Sequence, residues 1–184
     1  MKNAVLLLAN GFEEIEAVTV ADVLRRAEVG LKIISVTGSL EVTGAHQIKL
    51  KADGLFEETG FEDVDMVILP GGMPGTMNLN DHKGVRQVVL DFHRKGKYLA
   101  AICAAPMVLG NLGILDDRSA TSYPGYNRYM LRARIKSDPV VDDEHLITAN
   151  GAGAALLFSL KLVEKLQGKE EAALTGRKMM VPGL

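Results

Sequence analysis

Nearly unbroken apolar runs at Ala4–Ala9, Leu31–Val36, Met66–Leu69, Tyr98–Ile102 and Leu146–Ala149 divide the chain. Runs of this kind predict strands covered on both faces by helices, and therefore a parallel sheet. Between them apolar residues recur at i, i+3, i+4, i+7. Val20, Val23, Leu24 and Ala27 form one such stripe, and Val85, Val88, Val89 and Phe92 another. Leu156, Leu160, Val163 and Leu166 line a third helical face, and all three stripes read as core. The alternation of strand and helix predicts right-handed crossovers and a doubly wound α/β sandwich, whose ligands gather at the carboxyl ends of the strands.

Two stretches break this rhythm. Val42 to Lys51 alternates polar and apolar residues, as a half-exposed antiparallel or edge strand does. Ser119 to Pro139 is irregular and holds Tyr123, Tyr126 and Tyr129, three of the four tyrosines, which suits a pocket cover, an interface or plain packing. No repeat, low-complexity tract or linker interrupts the chain, so a single domain over 1–184 is expected.

With 184 residues, 47% of them hydrophobic, the chain is long enough to bury a sizeable core. The formal charge of −2 and the scattered Lys and Arg offer no docking stripe for a nucleic-acid backbone. One cysteine leaves no internal disulfide. No secretory apolar region follows Met1-Lys2-Asn3, and no stretch approaches the roughly 20 apolar residues of a membrane span. The expected compartment is the reducing cytosol.

That cysteine, Cys103, ends the run Tyr98–Ile102 and is followed by Ala104-Ala105-Pro106. The pattern predicts a strand delivering a thiol to a sharp strand-to-helix turn, with backbone N–H groups of the helix start pointing at the sulfur. A thiol so placed is expected to ionise easily, although a lone cysteine also serves as a small buried hydrophobe.

Other strand ends supply partners. After Ala9 come Asn10-Gly11-Phe12-Glu13-Glu14-Ile15-Glu16. Glu13 and Glu14 suit the dipole of a first helical turn, whereas Glu16, flanked by Ile15 and Ala17, is placed to turn inward as a protonated donor to a thiolate. Pro70-Gly71-Gly72 follows Leu69, and adjacent glycines there let backbone approach a reacting atom and present an oxyanion donor. Asn150-Gly151-Ala152-Gly153 lacks the third glycine of a dinucleotide fingerprint, because Leu156 stands in that place; it reads as tight helix–sheet packing, and no cofactor is expected. His46, His82, His93 and His145 are widely spaced without a paired ligand motif, so no metal is expected either.

Taken in order and spacing, Ala9–Glu16, Leu69-Pro70-Gly71-Gly72, Ala101–Pro106 and Gly151-Ala152-Gly153 resemble the ThiJ/PfpI superfamily. Within it the chain is similar to the branch that contains the parkinsonism-associated protein deglycase and its bacterial relatives. The resemblance implies a flavodoxin-like sandwich and a homodimer with the thiol near the subunit interface. It implies that Cys103 is the reactive, oxidation-prone cysteine, Glu16 the carboxylic acid bonded to it, and the N–H groups of Gly72 and Ala104 an oxyanion hole. Ala104 stands where family proteases carry a histidine, which argues against peptidase activity. Tyr123 stands where the deglycase carries a histidine before proline. The implied activity is cysteine-dependent deglycase or glyoxalase chemistry on dicarbonyls such as methylglyoxal, or on their adducts. An oxidative-stress sensor or redox-regulated chaperone using the same thiol is the alternative reading, and a role in thiamin metabolism a third.

Overall fold

The computed structural model describes residues 2–183. Its main sheet is built from β1 (Asn3–Leu8), β2 (Gly30–Ser35), β5 (Gly54–Leu55), β6 (Met66–Leu69), β7 (Tyr98–Ile102), β10 (Val140–Asp143) and β11 (Leu146–Ala149). Two small side sheets pair β3 (Glu41–Thr43) with β4 (Lys49–Lys51), and β8 (Ser119–Ala120) with β9 (Arg134–Ile135). The helices are α1 (Glu14–Arg26), α2 (Gly75–Asp81), α3 (Lys83–Arg94), α4 (Pro106–Asn111), α5 (Ala155–Gln167) and α6 (Lys169–Lys178). The seven strands lie in the order β10-β11-β7-β6-β1-β2-β5, all parallel except the β10–β11 pair.

Every one of the five apolar runs is a strand of this sheet, which makes the fold an α/β sandwich of the expected kind. Their period of two sends alternate residues into two separate cores. Ala4, Leu6 and Leu8 of β1 pack with Ala17, Val20 and Leu24 of α1 and with Phe158 and Leu162 of α5. Val5 and Leu7 face the other way, onto Leu79 of α2, Val85, Val89 and Phe92 of α3, and Met107 to Leu109 of α4. The three helical stripes therefore supply core on both faces. Among the described residues no helix is long and apolar enough to cross a membrane.

The two stretches that break the strand–helix rhythm in the sequence break it in the structure as well. Val42–Lys51 is antiparallel, one of its two sequence readings, but it forms a hairpin of its own and not a single strand or an edge of the main sheet, with Val42 opposite Leu50. Gly44 and Gln47 turn the chain there: Gln47 N–H donates to Gly44 O at 3.1 Å, and Gln47 adopts a φ of 67°. The hairpin folds back onto the loop before α1, where Gly11 N–H donates to Thr43 O and Ala45 N–H donates to Phe12 O, each at 2.8 Å. Ser119–Pro139 is irregular as expected, apart from β8, β9 and a 3-10 turn at Tyr126–Tyr129. Its start is anchored by Asp143, whose carboxylate accepts from Ser119 N–H at 2.6 Å.

Glu14 closes the hairpin onto the body. Its buried carboxylate accepts from His46 N–H at 2.6 Å, from His46 Nδ1 at 2.8 Å and from Ile48 N–H at 3.4 Å. Burial alone would raise this carboxyl's pKa, but the bonds from His46 and the amides hold it below its ordinary value. Glu14→Ala leaves those amide donors without their acceptor, a loss of about 1–3 kcal/mol. Amide exchange at His46 and Ile48 is expected to quicken by roughly tenfold or more while β1, β6 and β7 keep their protection. Unchanged exchange in the hairpin would show that Glu14 does not hold it.

Candidate active site

The carboxyl ends of β1, β6, β7 and β11 lie side by side, and the loops leaving them converge on Cys103. Directly after β7 the chain must turn, and Cys103 does so with a φ of 64°, in the left-handed region that side chains other than glycine rarely enter. Strain of this kind costs of order 1–3 kcal/mol and persists only where neighbours hold it. They do so here through both backbone polar groups. Cys103 N–H donates to Ala149 O and Tyr123 N–H donates to Cys103 O, each at 2.8 Å. Ala105 N–H then donates to Ile102 O at 3.0 Å, which closes the turn before the short helix α4.

Glu16 reaches the sulfur from α1. It sits in the helix's first turn, is fully buried, and accepts from Gly71 N–H at 2.7 Å through Oε2. Its Oε1 is buried with no hydrogen-bond partner among the described residues. Gly71 permits this approach because a Cβ there would stand 2.6 Å from Cys103 Cβ and 2.7 Å from Glu16 Oε2. Gly72 follows with a φ of 88°. The loops after β1 and β6 interlock backbone to backbone: a Cβ at Gly72 would meet Phe12 C at 2.5 Å, and one at Gly75 would meet Gly11 C at 2.6 Å. Glu13 N–H bonds Gly71 O at 2.9 Å across the same seam.

Electrostatics couple the two side chains. Burial pushes Glu16 up to about 7, against the opposing pull of the Gly71 N–H and of Cys103. Burial also pushes the Cys103 thiol up to about 12, and the Glu16 carboxylate beside it adds to the rise. The N–H groups of Ala104 and Gly72 act in the other direction by bonding the sulfur. The expectation of an easily ionised thiol is thus reversed, because the environment is dry and its nearest ionisable neighbour is an acid. From about pH 7 to about 12 the pair holds one proton, which resides on sulfur unless something draws it to the carboxylate.

Glu16, Gly72, Ala104 and Cys103 are therefore gathered at one point, and Gly71, read from sequence only as part of a glycine turn, joins them as the donor that orients the acid. Tyr123 is tied to the thiol residue by its backbone, while its side chain is half exposed. The ring lines a shallow groove of about 550 Å³ with Pro124, Pro139, Gly151 and Leu157. Tyr126 meets it edge-on at 6.4 Å, and Tyr129 stands 6.1 Å beyond. The Gly151-Ala152-Gly153 turn proves to be part of this groove and not tight helix–sheet packing: a Cβ at Gly153 would meet nothing within 4 Å, and one at Gly151 only the Tyr123 ring at 3.5 Å. Adjacent Glu13 and Glu14 and the distant His46 bring one ligand-type atom each within 4.8 Å of one another. No spacing rule reveals that cluster, because it depends on the hairpin folding back onto α1.

Comparison with known proteins agrees with this architecture. A family model described as the DJ-1/PfpI family matches residues 2–165. The protein dj-1beta of Drosophila melanogaster is 33% identical over 182 residues, spanning 98% of this chain and 97% of that protein. The crystal structure of Drosophila DJ-1beta superposes with a TM-score of 0.94 at 34% identity, over 98% of each chain. A protein named glutathione-independent glyoxalase DJ-1 from Schizosaccharomyces pombe is 29% identical over 192 residues, covering 99% of this chain and 100% of its own. Oxidized DJ-1 of Toxoplasma gondii superposes with a TM-score of 0.93 at 30% identity, over 99% of this chain and 100% of that one. On the family match and the whole-length likeness to Drosophila dj-1beta, the chain belongs to the DJ-1/PfpI family.

Proposed function

We propose that this protein is a cysteine-dependent enzyme that converts reactive dicarbonyls such as methylglyoxal, free or as adducts, to hydroxy acids. The observation that carries the reading is the Cys103–Glu16 pair: a thiol that keeps its proton, beside a buried carboxyl whose ionisation lies near neutrality. A group poised near the working pH is suited to accept and return protons. The glyoxalase named in fission yeast supports the same substrate class.

In the first step the sulfur attacks the aldehyde carbon as its proton passes to the Glu16 carboxylate, so that no free thiolate need accumulate. The carbonyl electron pair moves to oxygen, where the N–H groups of Gly72 and Ala104 stabilise the charge. Return of the proton to that oxygen gives a hemithioacetal. Glu16 then takes the proton from the former aldehyde carbon and delivers it to the adjacent ketone carbon through an enediol, leaving a hydroxy-acid thioester. Water hydrolyses the thioester, which releases lactate from methylglyoxal and restores the thiol. Peptide hydrolysis has no histidine beside the cysteine to support it, since Ala104 occupies that position.

A second reading, an oxidation sensor without significant turnover, draws on one feature, the two backbone N–H groups directed at Cys103 sulfur, which also suit a sulfinate. In both readings the protein acts as a twofold homodimer. Ile15 is 57% and Val18 45% exposed on α1, and Ile48 on the hairpin is 55% exposed, an apolar face that a second copy would cover.

Lactate release from methylglyoxal is expected to vanish in Cys103→Ser and to fall by roughly 10²–10⁴ in Glu16→Gln, which retains a hydrogen-bond donor but cannot exchange protons. Because Glu16 must be ionised to accept the thiol proton, kcat/KM is expected to rise with pH through about 7, and that rise should disappear in Glu16→Gln. Equal turnover in all three proteins would overturn the enzymatic reading, leaving peroxide adducts at Cys103, followed by intact mass, to test the sensor. Tyr123→His puts a group that titrates near neutrality where a weakly acidic phenol stands, and is expected to raise turnover more than Tyr123→Phe lowers it. Light scattering after size exclusion should return twice the chain mass of 19.8 kDa, and a monomer at micromolar concentration would refute the dimer.

A further inference from the structure

At the end of the sheet opposite the thiol, two histidines separated by 52 residues meet. His93 lies in the last turn of α3 and His145 in the turn between β10 and β11. Nδ1 of His93 and Nε2 of His145 are 3.1 Å apart, with the rings tilted by 32° and their centroids separated by 5.2 Å. Both side chains are half-buried, so neither ring is free to sample the solvent as a surface histidine does.

The spacing matches a chelate bite. Imidazole nitrogens coordinate zinc-class ions at about 2.0–2.1 Å, so two nitrogens 3.1 Å apart subtend roughly 100° at the ion, between octahedral and tetrahedral angles. We propose that His93 and His145 form a bidentate bis-imidazole site for a borderline divalent cation of the zinc, nickel or copper class, with water in the remaining positions. The ring that donates in the present hydrogen bond moves its proton to its far nitrogen through solvent. Both near lone pairs then bind the ion, and no net proton is lost.

The surroundings suit neutral, ligating imidazoles. Burial, with Arg118 nearby, holds His93 below the ordinary histidine range; burial, then His93 and Arg118, does the same for His145. Neutral imidazole is the form that metals bind. The Arg118 charge that disfavours imidazolium also opposes a cation here, and its ion pairs with Glu144 at 2.8 Å and Asp143 at 3.3 Å weaken that field, while Arg134 approaches Asp143 at 3.8 Å. Borderline cations favour imidazole over the hard oxygen ligands that hold calcium or magnesium.

A bound ion would tie the end of α3 to the β10–β11 turn, and through it to β7, since Leu99 N–H donates to His145 O at 2.9 Å. The five residues of β7 place Cys103 about 15 Å from that point, so the ion does not touch the sulfur.

Thermal unfolding of the intact protein with and without about 1 mM Zn²⁺ tests the site, because a ligand that binds the folded state with a Kd of tens of micromolar should raise Tm by about 3 °C or more. The rise is expected in wild type, in Cys103→Ser and in His46→Gln, which excludes the thiol and the Glu13–Glu14–His46 cluster as its source. It is expected to be lost in His93→Gln and in His145→Asn. No rise in wild type, or an equal rise in both imidazole variants, overturns the proposal. Should either variant fail to fold, paramagnetic Ni²⁺ added to wild type decides the matter by NMR. Ring protons of His93 and His145 should broaden before those of His46 and His82, and equal broadening of all four would refute the site.

Discussion

The contact on which the functional end of the molecule depends is the hydrogen bond from Gly71 N–H to the buried carboxyl of Glu16, at 2.7 Å. A carboxyl removed from water carries a large desolvation cost unless its oxygens find donors. Here one oxygen accepts from the amide at the end of β6, and the other is buried with no hydrogen-bond partner among the described residues. The result is an acid neither securely charged nor securely neutral at physiological pH. Full solvation of Glu16 would give an ordinary carboxylate, and a second strong donor would fix it as an anion.

The thiol is held by the same economy of partners. Cys103 occupies an unfavourable backbone region, and its N–H and C=O are spent on Ala149 and Tyr123. Those bonds come from the neighbouring strand β11 and from the irregular segment beyond α4, two elements distant from β7 in the chain. Positioning of the sulfur thus depends on elements far apart in sequence that only the parallel sheet assembles.

Much of the scaffold was legible because its signals are local. The runs that became β1, β2, β6, β7 and β11 are apolar on both faces, and the stripe from Val20 to Ala27 repeats at helical spacing; both patterns follow from burial of neighbouring residues alone. The glycine turn after Leu69 and the lone cysteine after Ile102 marked two of the strand ends that form the site. What stayed hidden depends on distant packing. The hairpin turn at Gly44–Gln47 is set by a carboxylate some thirty residues earlier. The elevated thiol pKa reflects water exclusion, which no spacing rule encodes. Gly151 and Gly153 resembled packing glycines in sequence, yet Gly153 borders open space and Gly151 faces the ring of Tyr123, which arrives from another segment.

The interlocked loops at Gly11, Gly72 and Gly75 leave that wall of the site almost no room to vary. Backbone there lies against backbone, so one added methyl displaces both loops together, and a compensating change elsewhere cannot make space by trimming a side chain. The opposite wall, carried by Tyr123, Tyr126 and the open turn at Gly153, consists of side chains over a shallow groove. Mutational drift is therefore channelled to one side. Descendants of such a sequence can acquire new preferences by exchanging residues in the tyrosine segment while the glycine seam, with its acid and its amides, passes unchanged from one specificity to the next.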